Sequence, residues 1–472
     1  MFRRKLIGPL VLTGAVAVGL FVVTVGPRPG TPTPSTGSGA GASSALAGAS
    51  LTPGTTVSRS PDGAAPTSTD TATPSATSPG SAEPSPSPST SPGTSSSPSV
   101  VTGSLAARLQ KALDKFALAH RLPGASATMT WPDGRSWTGT TGLADFKTGR
   151  KVTPDTAFAI ASMSKTFTSA LILSLVDDGK LSLDTRVATL LPSVRLGTPG
   201  VPIPAGVTVR MLLDHTSGLA DYFFAKGIDK ALLARRGATW TAAQALAYVG
   251  KPLGKPGRSW HYSNTNYLLL GLLAEKIAGK PFATQIRDSF LDPLKLDGAY
   301  VQVAESPPGP IAQGYYFTGF SLSEPPKGLA DARRTVVPFT SVITAAGSAG
   351  DVAATSADLA AWARALYGGA VLRPETLAAA VADAKRTARF HPYVPYGLGV
   401  QVTKVGQRRA LGHSGRFIGV RGELRYLPDD GLAIAIVANQ NGVDLRPLVA
   451  KLVALALPKP SPTSTPSPSP AP

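Results

Sequence analysis

Ala159-Ile-Ala-Ser162-Met-Ser-Lys165-Thr-Phe-Thr-Ser169 runs on into Ala-Leu-Ile-Leu-Ser-Leu-Val-Asp-Asp-Gly179. The run after Lys165 is apolar nearly all round until Gly179 stops it. That pattern predicts a helix lying inside a domain. A Lys near the start of such a helix is at least partly buried, and a buried Lys needs a reason. Lys165 follows Ser162 by about one helical turn, so the two share a face. A serine hydroxyl is a poor nucleophile until a neighbour removes its proton. Burial and the positive end of the helix dipole both lower a Lys pKa. The free N–H groups of a helix start also suit a developing oxyanion. Ser162 is expected as nucleophile and Lys165 as its base. The bland reading, a polar helix start with a solvated Lys, fits poorly with the helix that follows.

Two stretches farther along supply partners. Pro256-Gly-Arg-Ser-Trp-His-Tyr262-Ser-Asn264-Thr-Asn-Tyr267 reads as a loop before an apolar helix. Tyr262 there is a candidate proton carrier, with a pKa depressed by the Lys165 charge. Asn264 is a candidate to bind a substrate amide and to orient Lys165. Gly412-His-Ser-Gly415 reads as lying between strands. Gly415 would let a substrate backbone approach closely. The stretch is a near miss to the Gly-x-Ser-x-Gly elbow, because position 416 is Arg and no strand-then-helix context surrounds it. Ser414 is therefore not read as a nucleophile.

Composition narrows the classes. The chain of 472 residues contains no Cys, which excludes disulfides, thiolate metal sites and Cys nucleophiles. Five His stand at 120, 215, 261, 391 and 413 with no His-Glu-x-x-His, so neither metal nor cofactor is expected. Net charge is +18. Residues 1–103 and 458–472 hold six Lys/Arg and three Asp/Glu, so the interior keeps 40 against 25. The bland reading is a solvated cationic surface; the sharper one is attraction to anionic wall polymers or lipid headgroups. No zinc module, RNP motif or basic-aromatic run suggests nucleic acid.

Residues 1–5 are basic and read as a cytoplasmic start; residues 6–25 carry no charge. Twenty residues of helix span roughly 30 Å, enough to cross the hydrocarbon core. Basic residues ahead of the segment stay inside, so the rest is expected outside. An uncleaved anchor is the first expectation and a cleaved signal peptide the alternative. Residues 27–103 are Pro, Ser, Thr, Gly and Ala with hardly a charge, which predicts a disordered tether. Residues 458–472 read the same way.

Between them, residues 104–457 read as one folding unit. Ser104 to Leu122 shows helical spacing of Leu105, Leu109, Leu113, Phe116 and Leu118. Ala125 to Trp131 and Trp137 to Thr141 read as strands joined by Pro132-Asp-Gly134. Residues 184–338 read as mostly helical with long loops. Helices are expected at Ser356 to Leu366 and Pro374 to Ala382, and strands at Gly399 to Val402, Val420 to Tyr426 and Leu432 to Ala438. Leu445 to Leu455 closes with a helix. The fold class expected is α+β: an antiparallel sheet completed by strands from both chain ends, helices flanking it, and an inserted all-α subdomain.

Taken together and in order, Ser162-Met-Ser-Lys165, Tyr262-Ser-Asn264 and His413-Ser-Gly415 resemble the serine β-lactamase and D-alanyl-D-alanine carboxypeptidase family, on its class C and carboxypeptidase/esterase branch. Leu212-Leu-Asp-His-Thr-Ser-Gly-Leu219 and Gly347-Ser-Ala-Gly-Asp-Val-Ala-Ala-Thr-Ser-Ala-Asp-Leu359 support the resemblance. It implies acyl transfer: Ser162 attacks a carbonyl, Lys165 takes its proton, and Tyr262 protonates the leaving group and later activates water. It also implies an oxyanion hole from the backbone N–H of Ser162 and Arg416, with Asn264, His413, Ser414 and Gly415 binding substrate. The β-lactamases carry Lys-Thr-Gly where this chain has His413-Ser-Gly. A mostly neutral His attracts a carboxylate less, which favours carboxypeptidase or esterase chemistry over β-lactam hydrolysis. The expected partner is a peptidoglycan-type peptide, with an ester or β-lactam as the alternative. The rival from another class is a non-catalytic penicillin- or wall-binding module.

Overall fold

The computed structural model describes residues 99–315, 340–382, 384, 394–417 and 419–459. The apolar segment 6–25, the tether up to residue 98 and the tail from 460 lie outside the described residues. Among the described residues no helix is long and apolar enough to cross a membrane. The last residues assigned to the tether are part of the fold: Val100 bridges Ser136, and the Val101 N–H donates to the Ser136 carbonyl at 2.7 Å.

Twelve strands are described. They are β1 (Gly124–Thr130), β2 (Ser136–Asp145), β3 (Arg150–Lys151), β4 (Phe158–Ala159), β5 (Arg195–Leu196), β6 (Val201–Pro202), β7 (Tyr300–Val301), β8 (Val352–Ala354), β9 (Gln401–Val405), β10 (Arg408–Phe417), β11 (Val420–Leu427) and β12 (Leu432–Ala438). Seven form one antiparallel sheet in the order β3-β2-β1-β12-β11-β10-β9. The amino-terminal hairpin and the carboxy-terminal meander meet where β1 pairs β12, Ala125 opposite Ala438. This is the α+β arrangement expected from the chain order.

Every residue of β12 is buried, which is why its sequence is a continuous apolar run. Alternate side chains serve two cores. Leu432, Ile434, Ile436 and Ala438 pack with Leu109 and Leu113 of the helix Gly103–Ala119 and with Leu448 and Leu452 of the helix Arg446–Ala456. Ala433, Ala435 and Val437 pack with Leu359 and Trp362 of the helix Ser356–Tyr367, in the larger core that also holds Phe167. Within the first helix the buried positions are Leu109, Leu113 and Ala117, whereas Leu118 is 82% exposed. Leu118 shares no turn position with Leu109 and Leu113, so its assignment to the apolar stripe fails on helical period.

Of the insertion expected over 184–338, residues 316–338 lie outside the described residues; the described part, 184–315, is mainly short helices with three short strands among them. β5 and β6 form a hairpin, and β7 joins β4 and β8 in a three-stranded sheet. β4 leads directly into the Ser162 turn, so that small sheet fixes the approach to the nucleophile. The strand Arg408–Phe417 was not expected from the sequence. Residues 412–415, expected between strands, lie in its middle.

Candidate active site

Ser162 sits in a 3₁₀ turn, Ala161–Met163, that runs straight into the helix Ser164–Asp177. Ala161 before it has φ +51°, the left-handed region. A non-glycine residue held there costs about 1–3 kcal/mol and persists only where its surroundings fix it. The surroundings are strand β10. A Cβ on Gly415 would lie 2.2 Å from the Ile160 carbonyl oxygen, and one on Gly422, its cross-strand partner, 2.2 Å from Met163 Cε. The two glycines therefore clear a seat for the nucleophile turn. Gly415 was expected to make room for substrate backbone; the structure gives it this packing role.

Lys165 is fully buried. Its Nζ donates to Asn264 Oδ1 at 2.7 Å and to the Ala349 carbonyl at 2.6 Å, and lies 3.3 Å from Ser162 Oγ. It also stands 5.1 Å from the ring centroids of Tyr262 and of Tyr267. Burial pushes its pKa down to about 7, against the pull of the Asp221 and Asp351 carboxylates. The expected lowering is present, and desolvation carries it. Asp351 is itself pushed up to about 7 by burial.

Asn264 opens the helix Asn264–Ala278, so it is helical rather than part of the preceding loop. Its Nδ2 donates to Asp221 Oδ2 at 2.7 Å. Tyr262, in the loop before that helix, hydrogen-bonds the Ser162 side chain. Its pKa is raised well above the ordinary tyrosine value, chiefly because burial penalises the phenolate, with Tyr267 and Asp221 pushing the same way. The expected depression does not occur: the partly buried ring loses the water that would stabilise a phenolate. Tyr262 thus stands in the site as a neutral phenol.

His413 is buried, and both ring nitrogens are used. Nδ1 faces the Ser414 carbonyl at 2.7 Å and Nε2 faces Tyr396 Oη at 2.9 Å. A carbonyl only accepts, so Nδ1 carries the proton and Nε2 accepts from Tyr396. Burial pushes the His413 pKa down to about 3, with Lys165 adding to it. Strand alternation puts Ser414 on the face opposite Gly415. There its Oγ accepts from Gln401 Nε2 at 3.2 Å, and Gln401 Oε1 accepts from Arg425 at 3.0 Å. Arg425 in turn is held by Glu423 at 2.5 Å. β9 pairs with β10 only as far as Gly412, so among the described residues no strand covers the β10 edge from His413 to Phe417. Arg416 lies on that open edge with an exposed side chain.

The structure thus gathers Ser162, Tyr262 and Asn264 around Lys165 and brings Gly415 against the nucleophile turn. Sequence reasoning missed Asp221, the Ala349 carbonyl, Asp351 and Tyr396. Asp221 directly follows the quoted Leu212–Leu219 stretch by two positions, and Ala349 and Asp351 lie inside the quoted Gly347–Leu359 stretch. A lone acid or a backbone carbonyl in a loop has no period or spacing to announce it.

The Beta-lactamase family model matches residues 105–457. Penicillin-binding protein 4 of Amycolatopsis lactamdurans is 34% identical over 191 residues, 40% of this chain and 48% of its own length. Esterase EstB of Burkholderia gladioli is 32% identical over 207 residues, 42% of this chain and 51% of its own. The chain spans about half the length of these curated relatives. The solved structure of a D-stereospecific amidohydrolase from Streptomyces sp. superposes with a TM-score of 0.61 at 30% identity, covering 73% of this chain and 97% of that one.

Proposed function

The chain belongs to the Beta-lactamase family and is a serine hydrolase; from that premise we propose that it is an exported enzyme acting through an acyl group on Ser162, D-alanyl-D-alanine carboxypeptidase-like on cell-wall peptides. The observation that carries the chemistry is Lys165, buried, poised near neutrality and 3.3 Å from Ser162 Oγ. Neutral Lys165 removes the hydroxyl proton as Oγ attacks the substrate carbonyl. The backbone N–H groups of Ser162 and Arg416 receive the oxyanion. Tyr262, being a neutral phenol, gives its proton to the leaving nitrogen, and the neighbouring Lys165 ammonium restores it. Water then takes the same route in reverse and frees the acid. The open β10 edge offers a peptide substrate an extended docking line. Asn264 faces the substrate and His413 shapes its side as a neutral strut, while Ser414, turned to Gln401, and Gly415, turned to the nucleophile turn, bear on it through the β10 backbone. Export rests on the uncharged segment at residues 6–25 behind a basic start.

A second reading is hydrolysis of neutral D-amino-acid amides. Both His413 nitrogens are engaged and Arg425 is bound to Glu423, so these two side chains offer a substrate carboxylate little direct charge. The likeness to the D-stereospecific amidohydrolase from Streptomyces sp. supports it.

Fluorescent penicillin should label the wild type and spare Ser162→Ala. Mass spectrometry should then show D-alanine leaving a peptide that ends in D-Ala-D-Ala. Faster release of ammonia from D-alanine amide than of D-alanine from that peptide would favour the second reading. No labelling and no turnover of peptide, amide, ester or β-lactam would retire both.

A further inference from the structure

Asn264 can serve Lys165 only if its amide faces the right way round. A neutral amine has two N–H donors and one lone pair. The Lys165 donors go to Asn264 Oδ1 and the Ala349 carbonyl, at 2.7 and 2.6 Å. The direction left over points at Ser162 Oγ, 3.3 Å away. If the Asn264 amide were flipped, Nδ2 would face Lys165 and compete for that lone pair, and Ser162 would lose its base. Nothing in Asn264 itself prevents the flip, since the two ends of the amide have nearly the same shape.

Asp221 prevents it. The carboxylate is buried and ends a short stretch between the Leu212–Leu219 segment and the 3₁₀ turn Tyr222–Phe224. Oδ1 accepts from the Phe223 backbone N–H at 3.0 Å, and Oδ2 from Asn264 Nδ2 at 2.7 Å. Burial pushes the Asp221 carboxyl above its ordinary value, while the Phe223 and Asn264 hydrogen bonds and Lys165 favour the charged form; once ionised, the carboxylate offers only acceptors. Both of its oxygens therefore demand N–H donors, and only Nδ2 of Asn264 can satisfy Oδ2. We propose that Asp221 is a positioning residue for the base: by fixing the Asn264 amide it aims the Lys165 lone pair at Ser162. The inference rests on the acyl-enzyme reading above and adds Asp221 to its machinery.

Asp221 does not touch substrate in this scheme, so its signature differs from that of a catalytic group. In Asp221→Asn an amide of the same size replaces the carboxylate. One of its ends is then an N–H donor facing either the Phe223 N–H or Asn264 Nδ2. The relief open to the second clash is the Asn264 flip. Loss of the negative charge also removes a support for the Lys165 ammonium. The other groups facing Lys165 are Asp351, His215, His413, Tyr262 and Tyr267. Of these only Asp351 carries negative charge that would hold the proton on Lys165 in its place. Lys165 should therefore lose its proton at lower pH in the variant.

The test uses the full chain in four forms: wild type, Asp221→Asn, Asn264→Ala and the double variant. The second-order rate of acylation by fluorescent penicillin is followed across pH. Asp221→Asn should lower it roughly 100-fold, leave the penicillin binding constant unchanged, and move the acid limb to lower pH. In the Asn264→Ala background the same change should lower the plateau rate almost no further, because the amide it acts through is gone, while the acid limb still moves, because the Asp221 charge acts on Lys165 directly. An equal loss in both backgrounds, or an unaltered rate and limb in Asp221→Asn, overturns the proposal. Carbon-labelled lysine NMR follows the titration of Lys165 without turnover. A wild type that never acylates sinks the acyl-enzyme reading, whereas a Lys165 titration unmoved by Asp221→Asn sinks this inference. If Asp221→Asn does not fold, Asp221→Ser, smaller and uncharged, goes through the same measurements with the same expectations.

Discussion

The two faces of the seven-stranded sheet are buried alike and built differently. On one face, β12 meets Leu109, Leu113, Leu448 and Leu452, and the contacts are side chain on side chain among aliphatic groups. On the other face lies the helix Ser356–Tyr367, and joined to it through Phe167 stacked on Trp362 is the helix Ser164–Asp177, which buries Ser164, Lys165, Thr166, Thr168 and Ser169 alongside Phe167, Leu171 and Ile172. Those polar groups are tied down one by one. Ser164 Oγ accepts from the Val352 N–H at 3.1 Å, and Thr168 donates to the Ser348 carbonyl at 2.6 Å. Thr166 donates to the Met163 carbonyl and accepts from Trp362 Nε1 at 2.8 Å. An apolar face tolerates any side chain of suitable size, whereas a hydrogen-bonded face admits few alternatives. The first face holds the sheet; the second holds Ser162 and Lys165 in a fixed relation to it. Substitutions on the two faces should therefore separate stability from activity.

Lys165→Met is the strongest way to break that comparison. Acylation should fall about a thousand-fold with the loss of the base, while the fold survives, since a long apolar chain replaces the stem. Stability should respond to pH in an informative way. The folded Lys165 titrates at about 7 and the unfolded one near its ordinary value of 10.5. Between these the unfolded chain binds more protons, so wild-type stability rises with pH from about 7 to about 10. The buried tyrosines Tyr262, Tyr267 and Tyr396 are raised, so their opposing effect begins only above about pH 10. Lys165→Met should flatten the rise, as read by urea unfolding at several pH values. An equal rise in the variant would mean that Lys165 is ionised and solvated in the fold.

Gly415→Ala comes next. The added methyl meets the Ile160 carbonyl, which is backbone and cannot step aside without moving Ser162. Acylation should drop roughly 100-fold with a loss of a few degrees in melting temperature. Near-normal acylation would show that the turn is not seated by β10. A drop in substrate affinity alone would return Gly415 to a role in binding.

How far the sequence could be read follows the same division. The strands β1, β11 and β12 and both terminal helices carry their own periods, because apolar faces repeat at 2.0 or 3.6 residues. β10 does not. Arg408 to Phe417 mixes Arg, Gly, His and Ser, since one of its faces receives the nucleophile turn and, among the described residues, no strand covers its edge beyond Gly412. The motif residues Ser162, Lys165, Tyr262 and Asn264 were legible through spacing and order. Their electrical states were legible only in part: burial of Lys165 follows from its helix, but that of Tyr262 depends on His215, Trp260 and Tyr396 packing around its ring. Asp221 acts through a single hydrogen bond to a residue 43 positions away, which no local pattern encodes.

The remaining predictions sharpen the apolar face, where effects should be confined to stability. Leu452 is fully buried between the first helix and the sheet. Leu452→Ala should cost about 2–5 kcal/mol in chemical unfolding, yet leave acylation per folded molecule at the wild-type rate, because no hydrogen bond to the Ser162 helix passes through it. A slower acylation at full folding would mean that the two faces communicate through the strands. Leu118 tests the edge of that face. The side chain is 82% exposed, one position beyond the buried Ala117. Leu118→Ser removes no buried surface and should stay within about 0.5 kcal/mol of wild type. A larger loss would place a partner over this leucine, and the apolar stripe would then extend past Ala117 as the sequence alone suggests.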